Sequence, residues 1–461
     1  MLEETLKRQQ IYFSKNNHTT FEQRIKQLNR IRRMIKNNEK AIIEAIQTDF
    51  RNRSEEETYI AEIIPSLHGI KYIKKNLKKW MKTSQRDIEF FMQPAQAKVI
   101  YQPLGTVGIM VPWNYPLFLA IGPLIYAIAA GNTAMIKMSE FTPHFSALFK
   151  QLVSEYFDSD YICVVNGDYT VAQEFSSLPF DHLIFTGSTA IGKKVMKSAA
   201  DNLTPVTLEL GGKSPTVIDK DYNLQDAVER ICFGKSFNAG QTCISPDYVL
   251  LHESQIDEFI KRYKKTFNEF FPDYIKNENY TAIINDLQRE RLEKYLEDAK
   301  SKGANVYPMV DTIDDRSPKM PLHILTQTTD EMLVRKEEIF GPILPLVTYQ
   351  TISEAKEFIE SHHRPLAIYL FSNNKELETE YEHFSHSGGL CINDTLMHIA
   401  VDDIPFGGIG HSGMGHYHGY EGFLTFSKAK GVFKKHFTIS SKVLNPPYNF
   451  KLVKILYKIL T

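Results

Sequence analysis

Hydrophobic and polar positions follow two different periods along the 461-residue chain. From Phe21 to Trp80, apolar residues recur at helical spacing among lysines and glutamates, which predicts two or three amphipathic helices. From about Val99 onward, short β-branched or aliphatic runs alternate with helical stretches. Strands that alternate with helices predict βαβ units with right-handed crossovers, which build an open, doubly wound parallel sheet.

The alternating region divides into two successive sets of predicted elements. In the first set, strands are predicted at Thr106–Val111, Thr133–Lys137, Ile162–Val165 and His182–Thr186, and helices at Pro116–Ala130, Pro143–Phe157 and Thr189–Ala200. In the second set, after Glu209, strands are predicted at Thr216–Ile218, Tyr248–His252, Leu344–Tyr349 and Ala367–Phe371, with helices at Gln225–Lys235 and Asp257–Phe270. Two such sets predict two α/β domains.

Composition narrows the class of protein. The chain is 43% hydrophobic and 24% charged, as in ordinary globular proteins. Its 54 basic and 55 acidic side chains nearly cancel, so no global charge attracts nucleic acid. The four cysteines show neither a C-x-x-C pair nor zinc spacing, which favours a reducing, cytoplasmic compartment and predicts no metal site. The longest apolar run, Tyr115 to Ala130, is shorter than the roughly 20 residues of a membrane span.

The segment from Phe237 to Cys243, Phe-Asn-Ala-Gly-Gln-Thr-Cys, contains the first candidate for chemistry. It lies between a predicted helix and a predicted strand, where a loop can present a thiol to a cleft. A thiolate is a strong nucleophile if its surroundings lower its pKa. The alternative for a lone cysteine is a buried, inert side chain.

Glu209 is the second candidate, because it lies between two leucines at the end of a strand-like run. Desolvation there would raise its pKa toward that of a useful general base, although an ordinary carboxylate at a strand end is the alternative. The following glycines, Gly211 and Gly212, allow a close backbone approach or a sharp bend.

Two further segments join a strand to a helix. In Pro112-Trp-Asn-Tyr-Pro116, Asn114 is either a helix N-cap or an amide donor that faces the cleft. In the segment from Phe185 to Gly192, Phe-Thr-Gly-Ser-Thr-Ala-Ile-Gly, a tight turn presents backbone N–H groups to a phosphate, although it lacks the G-x-G-x-x-G pattern.

These four segments, in this order and spacing, resemble the aldehyde dehydrogenase superfamily. The segments Ile136-Lys-Met-Ser-Glu140, Glu337-Glu-Ile-Phe-Gly-Pro342 and Pro405-Phe-Gly-Gly-Ile-Gly410 are similar to further motifs of that family. The resemblance extends from about Phe21 to Gly431. A short N-terminus and a C-terminal extension look most like the bacterial members of the class 3 branch, which includes fatty and aromatic aldehyde dehydrogenases.

The resemblance implies a covalent mechanism. Cys243 would attack the aldehyde to give a thiohemiacetal, and the Asn114 amide with the Cys243 backbone N–H would hold the oxyanion. Hydride transfer would leave a thioester, which water activated by Glu209 would hydrolyse. Each oxyanion donor is worth about 3–4 kcal/mol in comparable sites.

The resemblance also implies a nicotinamide cofactor and the residues that bind it. These residues are Lys137 and Glu140 at the adenosine ribose, Gly187 and Ser188 at the pyrophosphate, Glu338 and Phe340 at the nicotinamide ribose and ring, and Trp113 in the cleft wall. Because Glu140 would repel a 2′-phosphate, NAD is favoured, with NADP as the alternative.

The implied organisation has three parts and a tail. An NAD-binding domain would comprise residues 1–80 and 98–208, and a catalytic domain residues 209–404. Residues 81–97 and 428–440 would form a small β bridging arm for oligomerisation, and a homodimer is expected.

The tail at 446–461 is predicted to be an amphipathic helix. Its lysines 451, 454 and 458 share one face, and Leu452, Leu456 and Ile459 share the opposite face. One interpretation docks this helix on the protein surface. The other makes it a basic element that contacts a membrane surface, so that a cytoplasmic enzyme associates there, or guards the substrate entrance.

Two other functions remain open alongside aldehyde oxidation. The same cysteine could serve a coenzyme A-acylating aldehyde dehydrogenase, in which Glu209 would have no role in deacylation. The chain could also be a catalytically silent nucleotide-binding protein, which intact Cys243, Glu209 and Asn114 argue against. Aromatic residues such as Tyr115 and Phe118 suggest an apolar tunnel for medium- or long-chain aliphatic or aromatic aldehydes. Tyr381–His398 resembles bacterial members that act on carotenoid-derived aldehydes.

Overall fold

A computed structural model describes residues 2–314, 316–436, 446–448 and 450–460. Its helices are α1 (Leu2–Asn16), α2 (Phe21–Asn37), α3 (Glu39–Asp49), α4 (Glu55–Thr58), α5 (Ile64–Trp80), α6 (Pro116–Ala130), α7 (Pro143–Tyr156), α8 (Tyr169–Ser176), α9 (Thr189–Ala200), α10 (Leu224–Ser236), α11 (Ile256–Phe270), α12 (Asp286–Ser301), α13 (Leu333–Lys336), α14 (Ile352–Glu360), α15 (Lys375–Phe384), α16 (Gly419–Thr425) and α17 (Phe450–Leu460). Its strands are β1 (Ser84–Arg86), β2 (Ala95–Pro103), β3 (Thr106–Met110), β4 (Thr133–Lys137), β5 (Ile162–Val165), β6 (His182–Gly187), β7 (Val206–Leu210), β8 (Pro215–Ile218), β9 (Tyr248–His252), β10 (Asn305–Pro308), β11 (His323–Thr326), β12 (Ile343–Tyr349), β13 (Ala367–Phe371), β14 (Gly389–Ile392), β15 (Gly413–Met414) and β16 (Ser427–Lys435).

The helical region between Phe21 and Trp80, where two or three helices were predicted, forms three helical stretches, because a π-helical turn at Tyr59–Ile63 joins α4 to α5. Helix α1 precedes them and was not predicted. Its only buried residues are Leu6 and Gln9, so its sequence shows little apolar period. Gln9 Nε2 donates to the Ala134 carbonyl oxygen at 2.9 Å, which ties α1 to β4.

The first sheet has the strand order β15-β7-β6-β3-β4-β5 and is parallel except for the short β15. The chain runs from β3 outward to β4 and β5, then crosses back to β6 and β7. The strand order therefore reverses between β3 and β6, and ligands of such sheets bind beside this point at the carboxyl ends of the strands.

The second sheet has the order β10-β11-β12-β9-β8-β13-β14 and is parallel except for β10. A third, antiparallel sheet has the order β1-β2-β16, in which β2 and β16 pair along nine residues, from Ala95↔Lys435 to Pro103↔Ser427. The α/β class with a small β arm is thus confirmed. Residues 437–440 of the predicted arm lie outside the described part of the chain.

Two boundaries of the predicted domains do not coincide with the limits of the sheets. Glu209 lies on β7, which pairs with β6, so it belongs to the first sheet rather than to the start of the second unit. The sheet ends at Leu210, and the two glycines that follow lead to β8 of the second sheet. Strand β2 pairs with β16 as far as Pro103, six residues beyond the predicted arm limit of 97. Among the described helices, none is both long and apolar enough to cross a membrane.

Candidate active site

A cavity of about 1340 Å³ opens where the carboxyl ends of β3, β4, β6 and β7 face the second unit. Every site residue predicted from the sequence lines it: Trp113, Asn114, Lys137, Glu140, Gly187, Ser188, Glu209, Cys243, Glu338 and Phe340. These residues come from six separate segments of the chain. Their convergence on one cavity is the central observation about the site.

Cys243 reaches the cavity through an unusual turn after α10. Asn238, Ala239 and Gly240 all have positive φ values, of 51°, 50° and 74°. Left-handed backbone is costly for asparagine and alanine, and such strain is typical of functional loops. The Cys243 side chain is half-buried, and burial followed by the Glu338 and Glu209 charges raises the pKa of its thiol to about 12. These surroundings therefore favour the thiol over the thiolate, so the lowered pKa considered from the sequence is not found here.

Glu209 is the most isolated acid of the cavity. Its side chain is 4% exposed, and neither carboxylate oxygen has a hydrogen-bond partner among the described residues. Burial raises its pKa well above the ordinary value, because no donor compensates the lost hydration. The surroundings of this carboxyl group therefore favour its neutral, protonated form more than water does.

Asn114 does not cap helix α6, so that alternative is excluded. The residue before the helix is Tyr115, which makes no side-chain cap bond. The Asn114 side chain is buried, and its Nδ2 donates to the Gln241 carbonyl oxygen at 3.1 Å. Gln241 lies two residues before Cys243, so this bond joins the two loops across the site.

A turn at Glu338 and Phe340 also lines the cavity. Arg291 on α12 donates to the carbonyl oxygens of Glu338, Ile339 and Phe340 at 2.9 to 3.4 Å. Burial and the Asp247 charge raise the pKa of Glu338 to about 8, and its Oε1 has no partner in the described structure. The ring of Phe340, whose φ is 47°, meets the Trp113 ring edge-on at 5.3 Å.

The other end of the cavity combines a lysine, an acid and a helix N-terminus. Lys137 Nζ donates to the carbonyl oxygens of Met138 and Gly167, and it lies 3.9 Å from Glu140 Oε2. Gly187 ends β6, and Ser188 precedes α9 without a side-chain cap bond. The first N–H groups of α9 thus face the cavity, as an anion site requires.

Sequence reasoning missed a buried ionic cluster behind the cavity, formed by Arg53, Glu57 and Glu62. All three side chains are buried. In the sequence they look like a solvated helix start, because Arg53 and Glu57 have the spacing of an exposed ion pair. Tyr115 and Phe118, predicted to be near the substrate, are not among the residues that line the cavity.

The family model described as "Aldehyde dehydrogenase family" matches residues 2–432. The chain belongs to the aldehyde dehydrogenase family. It is 52% identical to the "Probable coniferyl aldehyde dehydrogenase" of Pseudomonas aeruginosa over 437 residues, which are 95% of this chain and 91% of that relative. It is 43% identical to the "4,4'-diaponeurosporen-aldehyde dehydrogenase" of Staphylococcus aureus over 438 residues, 94% of each chain.

Solved structures agree with this assignment. The substrate-bound state of Staphylococcus aureus AldH matches with a TM-score of 0.93 and 40% identity, over 99% of both chains. Betaine aldehyde dehydrogenase of the same organism, in complex with NAD+, matches with a TM-score of 0.84 and 26% identity, over 94% of this chain and 86% of that one. The class 3 resemblance and the enzyme class are confirmed: this aldehyde dehydrogenase carries out NAD(P)-dependent oxidation of aldehydes. Within the described residues, no group of three or more histidine, cysteine or acidic side chains could hold a metal ion.

Proposed function

We propose that Cys243 is the nucleophile of this aldehyde dehydrogenase. The Cys243 thiol first loses its proton to solvent, its sulfur then attacks the aldehyde carbon, and the new C–S bond converts the carbonyl oxygen to an oxyanion. Asn114 and the Cys243 backbone N–H stabilise that oxyanion. The position of Asn114 supports this role, because its amide is already fixed against the loop that carries the thiol. Preorganised donors of this kind are each worth about 3–4 kcal/mol.

The described residues fit a dinucleotide cofactor, which when bound accepts the hydride of the substrate carbon. The N-terminus of α9, with Gly187 and Ser188, would hold the pyrophosphate. Lys137 and Glu140 would hold the adenosine ribose, and Glu338 the other ribose. The unpartnered Oε1 of Glu338 supports this assignment, because a buried acceptor needs a donor.

Glu209 is proposed as the base of the second half-reaction. Hydride loss leaves a thioester on Cys243, and Glu209 takes a proton from the water that attacks it. The C–S bond then breaks, the sulfur regains a proton from Glu209, and the carboxylic acid product releases its own proton to solvent as it becomes the carboxylate. A buried, unpartnered carboxyl group supports this role, because its raised pKa brings it closer to the operating pH of a base. The coenzyme A-acylating alternative would leave this isolated acid without a function.

The observation that carries the proposal is the presence of Cys243, Glu209 and Asn114 on one cavity wall. The test is NADH production by Cys243→Ala and Glu209→Gln, with Cys163→Ala as the matched control. Cys163 is also half-buried, and its pKa is likewise raised to about 12, but it does not line the cavity. Cys243→Ala should be inactive, and Glu209→Gln should give one burst and then stall. Steady turnover by Cys243→Ala, or a requirement for coenzyme A, would overturn the proposal.

For the substrate, we propose an apolar aromatic aldehyde of the coniferyl type, with carotenoid-derived aldehydes as the second class. The first class is supported by the name of the 52% identical relative and the second by the name of the 43% identical one. The aromatic rings of Trp113, Phe141 and Phe340 in the cavity wall are consistent with an apolar ligand. Specificity constants for coniferyl, polyene and long-chain aliphatic aldehydes would rank the classes.

We also propose a homodimer that uses the third sheet as its arm, and a surface role for α17. The described side chains of α17 are exposed, including Phe450 at 68% and Tyr457 at 66%. Lys451, Lys454 and Lys458 give the helix a positive charge, so contact with an anionic membrane surface is the proposed role. The side chains of Leu452, Leu456 and Ile459, predicted to form its apolar face, lie outside the described residues. Sedimentation of the protein with anionic vesicles, with and without residues 446–461, tests the contact.

A further inference from the structure

Arg53 lies directly behind the two loops that carry Cys243 and Asn114. Its side chain is 0% exposed. Its Nη1 donates to the Asn114 carbonyl oxygen at 3.2 Å, and its guanidinium carbon lies 5.1 Å from the Phe50 ring centre and 4.9 Å from that of Tyr115. A planar cation held between two aromatic rings has little freedom to move, so it fixes the carbonyl that it binds.

Glu62 connects this arginine to the helix that follows Asn114. Its Oε1 lies 3.0 Å from Arg53 Nη1. Its Oε2 accepts the backbone N–H of Leu117 at 2.7 Å and that of Phe118 at 3.1 Å. These N–H groups belong to the first turn of α6, which otherwise has no side-chain cap. The Glu62 carboxylate therefore anchors α6 where the Asn114 loop enters it.

Glu57 connects the same arginine to the loop of the nucleophile. Its Oε1 lies 3.8 Å from Arg53 Nε, and its Oε2 accepts from Thr281 Oγ1 at 2.9 Å. The backbone N–H of Asn238 faces the Glu57 carboxylate and offsets part of the rise in its pKa that burial causes. Asn238 is the first residue of the left-handed turn before Cys243, so Glu57 holds the strained end of that loop.

Asn238 completes the connection between the loops. Its Nδ2 donates to the Asn114 carbonyl oxygen and to the Gln241 carbonyl oxygen, both at 3.1 Å. The Asn114 carbonyl oxygen thus receives donors from Arg53 and Asn238 together. The backbone groups that the Arg53, Glu62 and Asn238 side chains bind thus belong to the nucleophile loop or lie within four residues of Asn114.

We propose that Arg53, together with Glu57 and Glu62, positions the Asn114 amide relative to the Cys243 sulfur and thereby sets the rate of acylation. The proposal rests on the proposed function, because it takes Cys243 as nucleophile and Asn114 as oxyanion donor. These three are positioning residues, since none of them lines the cavity. An error of about 1 Å in such a site can cost about 100-fold in rate.

The test compares Arg53→Lys with Arg24→Lys in the full-length enzyme. Lysine keeps the charge but loses the planar fork. Arg24 is the matched control, because its side chain is also buried, at 6% exposed. It donates to the carbonyl oxygen of Ala129, at the end of helix α6 that lies far from Asn114. The measurements are the rate of the first NADH burst, the KM for aldehyde, the Kd for NAD+ and the thermal midpoint.

Arg53→Lys should slow the burst about 100-fold while the Kd for NAD+ stays within about threefold. Arg24→Lys should lower the thermal midpoint similarly but keep the burst rate within about threefold. A burst rate of Arg53→Lys within about threefold of the wild-type rate, or an equally slowed burst in Arg24→Lys, would overturn the proposal.

If Arg53→Lys does not fold, Glu57→Gln decides the question. It keeps the size and one acceptor of the side chain while it removes the charge that faces Arg53. Its burst should slow about tenfold, and an unchanged burst overturns the proposal. Cys243→Ala in the same assay separates the two levels of inference: turnover by that variant refutes the nucleophile, whatever Arg53→Lys does.

Discussion

Replacing Gly211 with alanine should damage cofactor binding far more than stability. An alanine Cβ at this position would lie 2.0 Å from Glu338 Oε2, 2.3 Å from Oε1 and 2.4 Å from Cδ. An ordinary contact begins at 3.4 Å, so the carboxylate must withdraw by 3.4 minus 2.0, or 1.4 Å. The clash involves only the end of a flexible side chain, and Gly211 has no left-handed φ. The backbone can therefore keep its path while Glu338 turns away.

The expected loss of NAD+ affinity follows from the hydrogen bond that Glu338 is proposed to make to the cofactor. A charge-assisted bond to a ribose hydroxyl is about 2.7 Å long and does not survive a withdrawal of more than 1 Å. Such a bond contributes about 1.5–3 kcal/mol, which corresponds to roughly 10- to 100-fold in affinity. The Kd for NAD+ should rise by that factor, and the free energy of unfolding should change by less than about 1 kcal/mol.

The assay is a fluorescence titration with NAD+, alongside thermal unfolding. Gly431→Ala is the control, because a Cβ there meets nothing within 4 Å on the exposed strand β16. Both variants share the stiffening that alanine brings to the unfolded chain. If Gly211→Ala binds NAD+ as tightly as Gly431→Ala does, then Glu338 does not hold the cofactor and the reasoning fails.

Three further predictions follow from the cavity and the tail. Glu209→Gln should raise the thermal midpoint more at about pH 8 than at about pH 5, because the neutral form of this buried acid is lost as pH rises through its raised pKa. An equal gain in thermal midpoint at the two pH values, measured by calorimetry, contradicts this prediction. Glu140→Gln should shift the NADP-to-NAD ratio of kcat/KM about tenfold toward NADP by removing a charge that repels the 2′-phosphate, and an unchanged ratio contradicts it. Deleting residues 446–461 should weaken activity on long-chain aldehydes more than activity on short-chain ones. An equal loss of activity on both, or no loss, contradicts this prediction.

The alternating elements were predictable because their apolar runs are short and their turns are well marked. Helix α6 and strands β4, β5, β9 and β13 have the limits that the sequence predicted. The pairing of the strands was harder to predict from the sequence, because paired strands lie far apart along the chain. Thus the predicted boundary between the two domains falls inside β7, just before Glu209, although hydrogen bonds place the strand in the first sheet.

The residues proposed for catalysis were predictable from their own local motifs, whereas the residues proposed to position them were not. Cys243 and Glu209 carry local signals, a glycine before a loop cysteine and an acid between leucines. Arg53 carries none, since its neighbours suggest a solvated helix and its burial follows only from tertiary packing. The role of Gly211 also depends on Glu338, more than 120 residues away along the chain.

The charge of Glu209 opposes the ionisation of Cys243, and this conflict suits a two-step reaction. Burial, the Glu338 charge and the Glu209 charge raise the pKa of the Cys243 thiol, whereas burial alone raises the pKa of Glu209. Holding both Cys243 and Glu209 as anions in this buried site would cost more free energy than holding either one as an anion. The proposed mechanism never needs both, because the thiolate acts before acylation and the carboxylate acts after it. Once the sulfur is part of the thioester it has no proton to lose, so a charged Glu209 no longer opposes any ionisation of Cys243 when the base is required.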